Sequence, residues 1–198
     1  MNIVATQNRY TPEDLLNMPD GDWYELVDGQ LVERKMSRGS SYVAGQVNYL
    51  VTAHVRPRRL GYPYPEGASY QCFPNHPSKV RRADFSFILA ERLTPDEATG
   101  KGHFPIAPDL AVEVVSPNDL YYEVDEKVDE WMQAGVRLLW VINPETRSIR
   151  IYRADGSSTT LREGAEISGE SAVPGFRCHV RGFFALPADW PEPPPPTS

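Results

Sequence analysis

The sequence predicts a mixed α/β (α+β) domain: a central mixed β-sheet flanked by helices, with a β-hairpin near the N-terminus. Three observations carry this. Pro108–Pro117, PDLAVEVVSP, is a short apolar run closed by a proline at each end, the pattern of a strand covered on both faces. Residues 121–134 repeat apolar side chains at helical spacing between that run and a second core-strand run, Val136–Ile142. Trp23–Val27 and Gln30–Lys35 flank Asp28-Gly29, a strong hairpin signal.

The remaining elements follow in order. Thr11-Pro12-Glu13-Asp14 opens a short helix, with Thr11 as N-cap and Pro12 at the first helical position, and Met18-Pro19-Asp20-Gly21 closes it. Ser40–Val55 reads as a helix with Val43, Val47, Leu50, Val51 and His54 on one side, ending around Pro57. Residues 60–80, rich in Gly, Pro and Tyr, hold at most a weak strand near Ala68–Phe73. Arg82–Leu89 is a second acid-bearing strand, and 91–107 a polar loop. In the helix over 121–134, Tyr121, Val124, Val128, Trp131 and Met132 form the apolar stripe, and Gly135 follows as a stop. Ser148–Arg153, Thr159–Arg162 and Gly175–Val180 are further β-prone stretches.

The chain's 198 residues suit one domain, expected over 10–186, between an N-terminal extension (1–9) and a proline-rich flexible tail (187–198). With 40% hydrophobic and 24% charged residues the composition is that of a globular protein. No apolar run reaches the roughly 20 residues that span a bilayer, and the first ten residues lack the pattern of a secretory signal, so the expectation is a cytoplasmic protein with no membrane partner. Cys72 and Cys178 stand far apart without a CxxC pattern and read as buried thiols. A net charge of −7 excludes a protein that coats nucleic acid electrostatically. It leaves room for an enzyme that meets nucleic acid through one local basic strip.

Glu113 is the one acid in the apolar core of PDLAVEVVSP. An ionised carboxylate there loses hydration worth several kcal/mol unless something compensates. A buried ion pair is one solution; a divalent cation is the stronger one. Asp109 shares its strand face, but four residues span about 13 Å at roughly 3.3 Å per residue, so the two cannot chelate one ion on a straight strand. Asp109 therefore reads first as a tie at the strand entrance. Asp84 heads a separate strand that can lie alongside, and adjacent strands about 4.8 Å apart let two carboxylates grip one Mg²⁺. Lys127 falls on the flank of the following helix, where its ammonium can reach the sheet or pair with Glu123 one turn earlier.

Asp84, then Glu113 in an apolar strand, then a lysine resembles the PD-(D/E)xK nuclease superfamily, and in detail the Uma-two family of restriction-endonuclease-like proteins. The matching stretches are YELVDGQLV (24–32), RADFSFI (82–88), PDLAVEVVSP (108–117), Lys127 with Gly135-Val136, and LWVINP (139–144). The resemblance spans about residues 10–185. It implies a restriction-endonuclease-like fold with Asp84 and Glu113 as ligands of Mg²⁺ or Mn²⁺. It also implies Lys127 as the lysine moved from strand to helix, Glu25 as an accessory acid, a nucleic-acid substrate, DNA foremost, and a homodimer. Val115 stands two residues after Glu113, where the superfamily carries its lysine, and Ala83 replaces a proline before Asp84. Arg34, Lys35, Arg38, Arg56, Arg58, Arg59, Lys79, Arg81 and Arg82 are the basic residues available for phosphates; Arg81 and Arg82, beside Asp84, and Arg38 are the foremost candidates. Two alternatives remain open: an inactive nuclease-fold binding protein, and an assembly subunit that associates through its β-rich C-terminal third.

Overall fold

The computed structural model describes residues 9–190, so most of the extension expected at 1–9 and of the tail expected at 187–198 lies outside the described residues. In chain order the elements are α1 (Pro12–Asn17), β1 (Tyr24–Val27), β2 (Gln30–Glu33), α2 (Arg38–Arg58), β3 (Gly61–Pro65), β4 (Phe85–Leu89), α3 (Pro95–Thr99), β5 (Leu110–Val114), α4 (Tyr121–Gln133), β6 (Leu138–Asn143), β7 (Ser148–Arg153), β8 (Ser158–Arg162), β9 (Glu166–Ser168) and β10 (Arg177–His179). Six strands form one sheet in the order β3-β4-β5-β6-β7-β8. Only β5 and β6 run parallel, joined across α4; every other neighbour is antiparallel. The mixed sheet and the N-terminal hairpin are as the sequence predicts.

Strand alternation divides the core into two layers. Phe85, Phe87, Leu110, Val112, Leu138 and Trp140 point to the side covered by α2, which contributes Val43, Val47, Val51 and Val55. Ile88, Ala111, Leu139 and Val141 point to the other side, where Val128 and Trp131 of α4 pack with Tyr70 and Phe73. Every residue of β4 and β5 is buried. The central strands are therefore sandwiched between helices, as unbroken apolar runs require.

Several elements depart from expectation. Ser37 caps α2, its hydroxyl accepting from the Ser40 N–H at 3.0 Å, so the helix begins at Arg38. It continues through Pro57 to Arg58 and stops where Arg59 turns left-handed (φ 53°). Its buried line runs at four-residue spacing through Val55, leaving Leu50 and His54 half-buried. β3, within a stretch expected to be loop, pairs with β4 on one side only, and an edge strand tolerates Pro63 and Pro65. A Cβ on Gly61 would lie 2.1 Å from the Ile88 carbonyl oxygen, so the pairing needs glycine there. The weak strand expected at 68–73 reduces to single bridges made by Tyr70 with Arg81 and Phe104. α3 rises inside the expected loop 91–107: Thr94-Pro95-Asp96-Glu97 repeats the capping box of Thr11-Pro12-Glu13-Asp14. Tyr121, expected on the apolar stripe of α4, is 76% exposed. Pro187–Asp189 close a 3₁₀ turn at the start of the expected flexible tail.

Asp109 ties the far end of the β5 strand. Its carboxylate is fully buried, accepts from the Leu89 N–H at 2.9 Å, and pairs with Arg92 and Arg137. Both arginines can turn to solvent if the carboxylate is removed, so the loss falls mainly on the orphaned Leu89 N–H. Asp109→Ala is expected to lower the unfolding free energy by about 1–3 kcal/mol in a urea titration.

Candidate active site

Residues from four segments meet at the end of the sheet opposite Asp109. β4 and β5 pair with Phe85 against Val112, which carries Asp84 opposite Glu113. The Asp84 N–H donates to the Val112 carbonyl at 3.0 Å, continuing the ladder one residue beyond β4. Both acids point to the α4 side, and α4 supplies Lys127. The hairpin docks through the backbone pair Leu26–Val80, which buries Glu25 against the same end.

Each candidate ligand has one oxygen anchored and one turned to a cation. Asp84 Oδ2 accepts from the Val114 N–H at 2.7 Å, while Oδ1 lies 3.1 Å from the Arg34 guanidinium. Glu113 Oε1 accepts from the Trp131 indole N–H at 2.8 Å, while Oε2 lies 3.6 Å from Lys127 Nζ. Lys127 Nζ is also 3.2 Å from Glu25 Oε2. Lys127 thus bridges Glu113 and Glu25 instead of pairing with Glu123, which pairs with Lys35 at 2.5 Å. Glu25 further accepts from the Arg81 side chain and the Arg82 N–H, both at 2.9 Å.

Arg81 and Arg82, expected at a phosphate-binding surface, are 4% and 3% exposed. The Arg81 guanidinium is bound to Glu25 and Glu130; that of Arg82 is held by Asp22 and the carbonyls of Tyr24 and Gly67. They are fasteners between hairpin, sheet and helix, because a buried guanidinium needs its donors filled. Arg38, the first residue of α2, is exposed and does not line the site cavity. Two participants, Trp131 and Glu130, carry roles the sequence did not reveal, and Lys79, a phosphate candidate there, is buried instead. Trp131 reads there only as apolar stripe, yet its N–H needs a partner once buried. Glu130 and Lys79 pair with each other, with Lys79 2% exposed. The one signal for Glu130 is its place one helical turn after Lys127.

The same end of the sheet opens into a cavity of about 240 Å³ lined by Glu25, Arg34, Arg81, Glu113, Tyr122 and Lys127 and also by Glu33, Lys35, Asp119, Glu123 and Glu126. Burial drives the Glu113 carboxyl up; Lys127 opposes that, Asp84 and Glu25 reinforce it, and the result is about 7. Asp84 is likewise raised by burial, against the Val114 N–H, Lys127 and Arg34. Burial acts the same way on Glu25, but Lys127, Arg81 and the Arg82 N–H outweigh it and hold that carboxyl at about 2. Lys127 is kept charged: burial disfavours the ammonium, and Glu113 and Glu25 more than offset it. Carboxyls pushed apart within one recess mark a site suited to proton and charge chemistry.

The donor set fits a small hard cation. Asp84 and Glu113 supply oxygens only, and the raised Glu113 is an anion short of positive charge. Among the described residues no three of His, Cys, Asp and Glu converge to cage a metal by themselves. Two carboxylates with open positions match the way Mg²⁺ is held, by few protein oxygens plus water and phosphate. Glu113's folded value lies above its unfolded one, so ionising it as pH rises past the ordinary carboxylate range destabilises the folded protein. Carboxyl-selective ¹³C NMR on metal-free protein is expected to give a Glu113 midpoint near neutrality, moved downward when Mg²⁺ is added.

The fold resembles that of a protein from Anabaena variabilis ATCC 29413, described as a "putative nuclease belonging to DUF820". The TM-score is 0.74 at 20% sequence identity, covering 88% of this chain and 97% of that one. At that identity the likeness speaks for the fold. No curated protein matches the chain. The sequence model that does match, over residues 12–181, takes in the hairpin, both acid-bearing strands and α4; the chain belongs to the family it describes, Uma2, "Putative restriction endonuclease".

Proposed function

We propose that the protein is a metal-dependent nuclease that hydrolyses phosphodiester bonds, with DNA as its substrate. The observation that carries this reading is the pair Asp84 and Glu113 on adjoining strands, each with one oxygen anchored and one turned to a cation, beside a charged Lys127. Family membership and the nuclease-like fold support it. Asp84 Oδ1 and Glu113 Oε2 would hold Mg²⁺ or Mn²⁺. When bound, such an ion supplies Lewis-acid activation of water and neutralises charge on phosphate oxygens.

The chain's own groups account for the rest. Lys127, fixed between two carboxylates, keeps its ammonium at the cavity and can orient the attacking water or stabilise charge on the phosphate. Glu25 touches no reacting atom in this scheme; it holds Lys127 in place and is in turn held by Arg81 and Arg82. Trp131 fixes the Glu113 rotamer and closes one oxygen to water. Pairing of two copies, as the resemblance implies, belongs to the same reading.

One observation favours the inactive binding protein instead: Glu33, Asp119, Glu123 and Glu126 add negative charge to the cavity lining, while Arg81 and Arg82 are buried. A single experiment separates the two. Calorimetry with Mn²⁺ on wild type and Glu113→Ala, alongside cleavage of single- and double-stranded DNA, is expected to show binding and cleavage that vanish together in the variant. Wild-type protein that binds no Mn²⁺ and cuts neither substrate would leave the binding-protein reading standing.

A further inference from the structure

Arg34 follows β2, with its N–H donating to the Trp23 carbonyl at 3.0 Å, so the backbone is pinned to the hairpin while the side chain reaches into the site. That side chain is only 5% exposed. Its guanidinium spans two carboxylates: Nη1 lies 2.8 Å from Glu66 Oε1, just past β3, and Nη2 lies 3.1 Å from Asp84 Oδ1. Asp84's other oxygen is taken by the Val114 N–H, so the oxygen Arg34 holds is the one left for a ligand. Arg34 lines the cavity, and Asp84 does not.

This inference rests on the proposed nuclease reading. We propose that Arg34 is the phosphate-binding residue of the site: it holds Asp84 when no divalent ion is bound and turns its guanidinium to the substrate phosphate when one is. A cation at Asp84 Oδ1 and a guanidinium at that oxygen exclude each other by charge and space. Glu66 is the partner that keeps the released guanidinium at the cavity, since its carboxylate is 37% exposed and remains available. Arginine's planar fork matches two phosphate oxygens at once. With Arg81 and Arg82 committed to buried pairs, Arg34 is the guanidinium at the cavity whose partner would itself be claimed by a metal.

The test measures Mn²⁺ affinity by calorimetry without nucleic acid on wild type, Arg34→Met and Glu66→Gln, then cleavage at saturating Mn²⁺. Freed of its competitor, Arg34→Met is expected to bind Mn²⁺ about fivefold more tightly, the scale of one partly screened ion pair. It should cut about 100-fold more slowly, as loss of one charge-stabilising donor implies. Glu66→Gln leaves the guanidinium with Asp84 alone and is expected to bind Mn²⁺ more weakly. Its altered side chain is partly exposed, so it decides the matter if Arg34→Met fails to fold. Equal or weaker binding by Arg34→Met, or tighter binding with undiminished cleavage, overturns the role of Arg34 while the nuclease reading stands. Binding by Arg34→Met where wild type shows none supports the proposal. Absence of both binding and cleavage in wild type and variant overturns the two together.

Discussion

The site depends on a largely buried chain of alternating charges, with Glu130 and Lys127 half-buried: Lys79, Glu130, Arg81, Glu25, Lys127 and Glu113, each paired with the next. Moving one such charge out of water costs several kcal/mol, and breaking a single buried pair is far worse than never having buried it. Losing any one member therefore leaves a neighbour's charge unanswered. The chain of charges joins three pieces of backbone that also meet through apolar contacts: the hairpin, the stretch leading into β4, and α4. The hairpin forms its own two-stranded sheet and meets the stretch before β4 through a single backbone pair at Leu26 and Val80. Its position relative to the main sheet is set by that pair, by the apolar cluster of Leu15, Leu26 and Val80, and by the side-chain charges together.

That dependence gives a physical ground for dividing two kinds of acid that the sequence divides only by their spacing along one strand. Asp109 and Glu113 share a strand and a face, and both are buried. Asp109 is answered by two arginines and a backbone N–H and sits away from the cavity; Glu113 is answered by one indole and one shared ammonium and lines it. The amount of positive charge around each carboxylate distinguishes a structural tie from a place where something else belongs.

The sheet's central strands were legible because they are unbroken apolar runs, and the hairpin because Asp-Gly leaves little choice of turn. Asp84 and Glu113 stood out as acids where burial penalises acids, and Lys127 as a lysine on the flank of an apolar stripe. What escaped was set by tertiary context. β3 hides behind two prolines that only an edge position accommodates. Arg81 and Arg82 read as phosphate-facing because nothing local announces that Glu25, more than fifty residues earlier, accepts from the Arg81 side chain and the Arg82 N–H. Trp131 read as one more apolar residue, since the helical period reveals which way an indole faces but not what its N–H meets.

The two fully buried tryptophans sit on opposite sides of the sheet. Trp131 donates to a carboxylate poised to change charge near neutrality, whereas the Trp140 indole N–H has no hydrogen-bond partner among the described residues. Indole emission responds more strongly to a full charge at hydrogen-bonding distance than to the same charge across the thickness of a sheet. Of the chain's four tryptophans, Trp131 is therefore the built-in optical reporter of the site, read against Trp140 in the opposite core layer and the exposed Trp23 and Trp190.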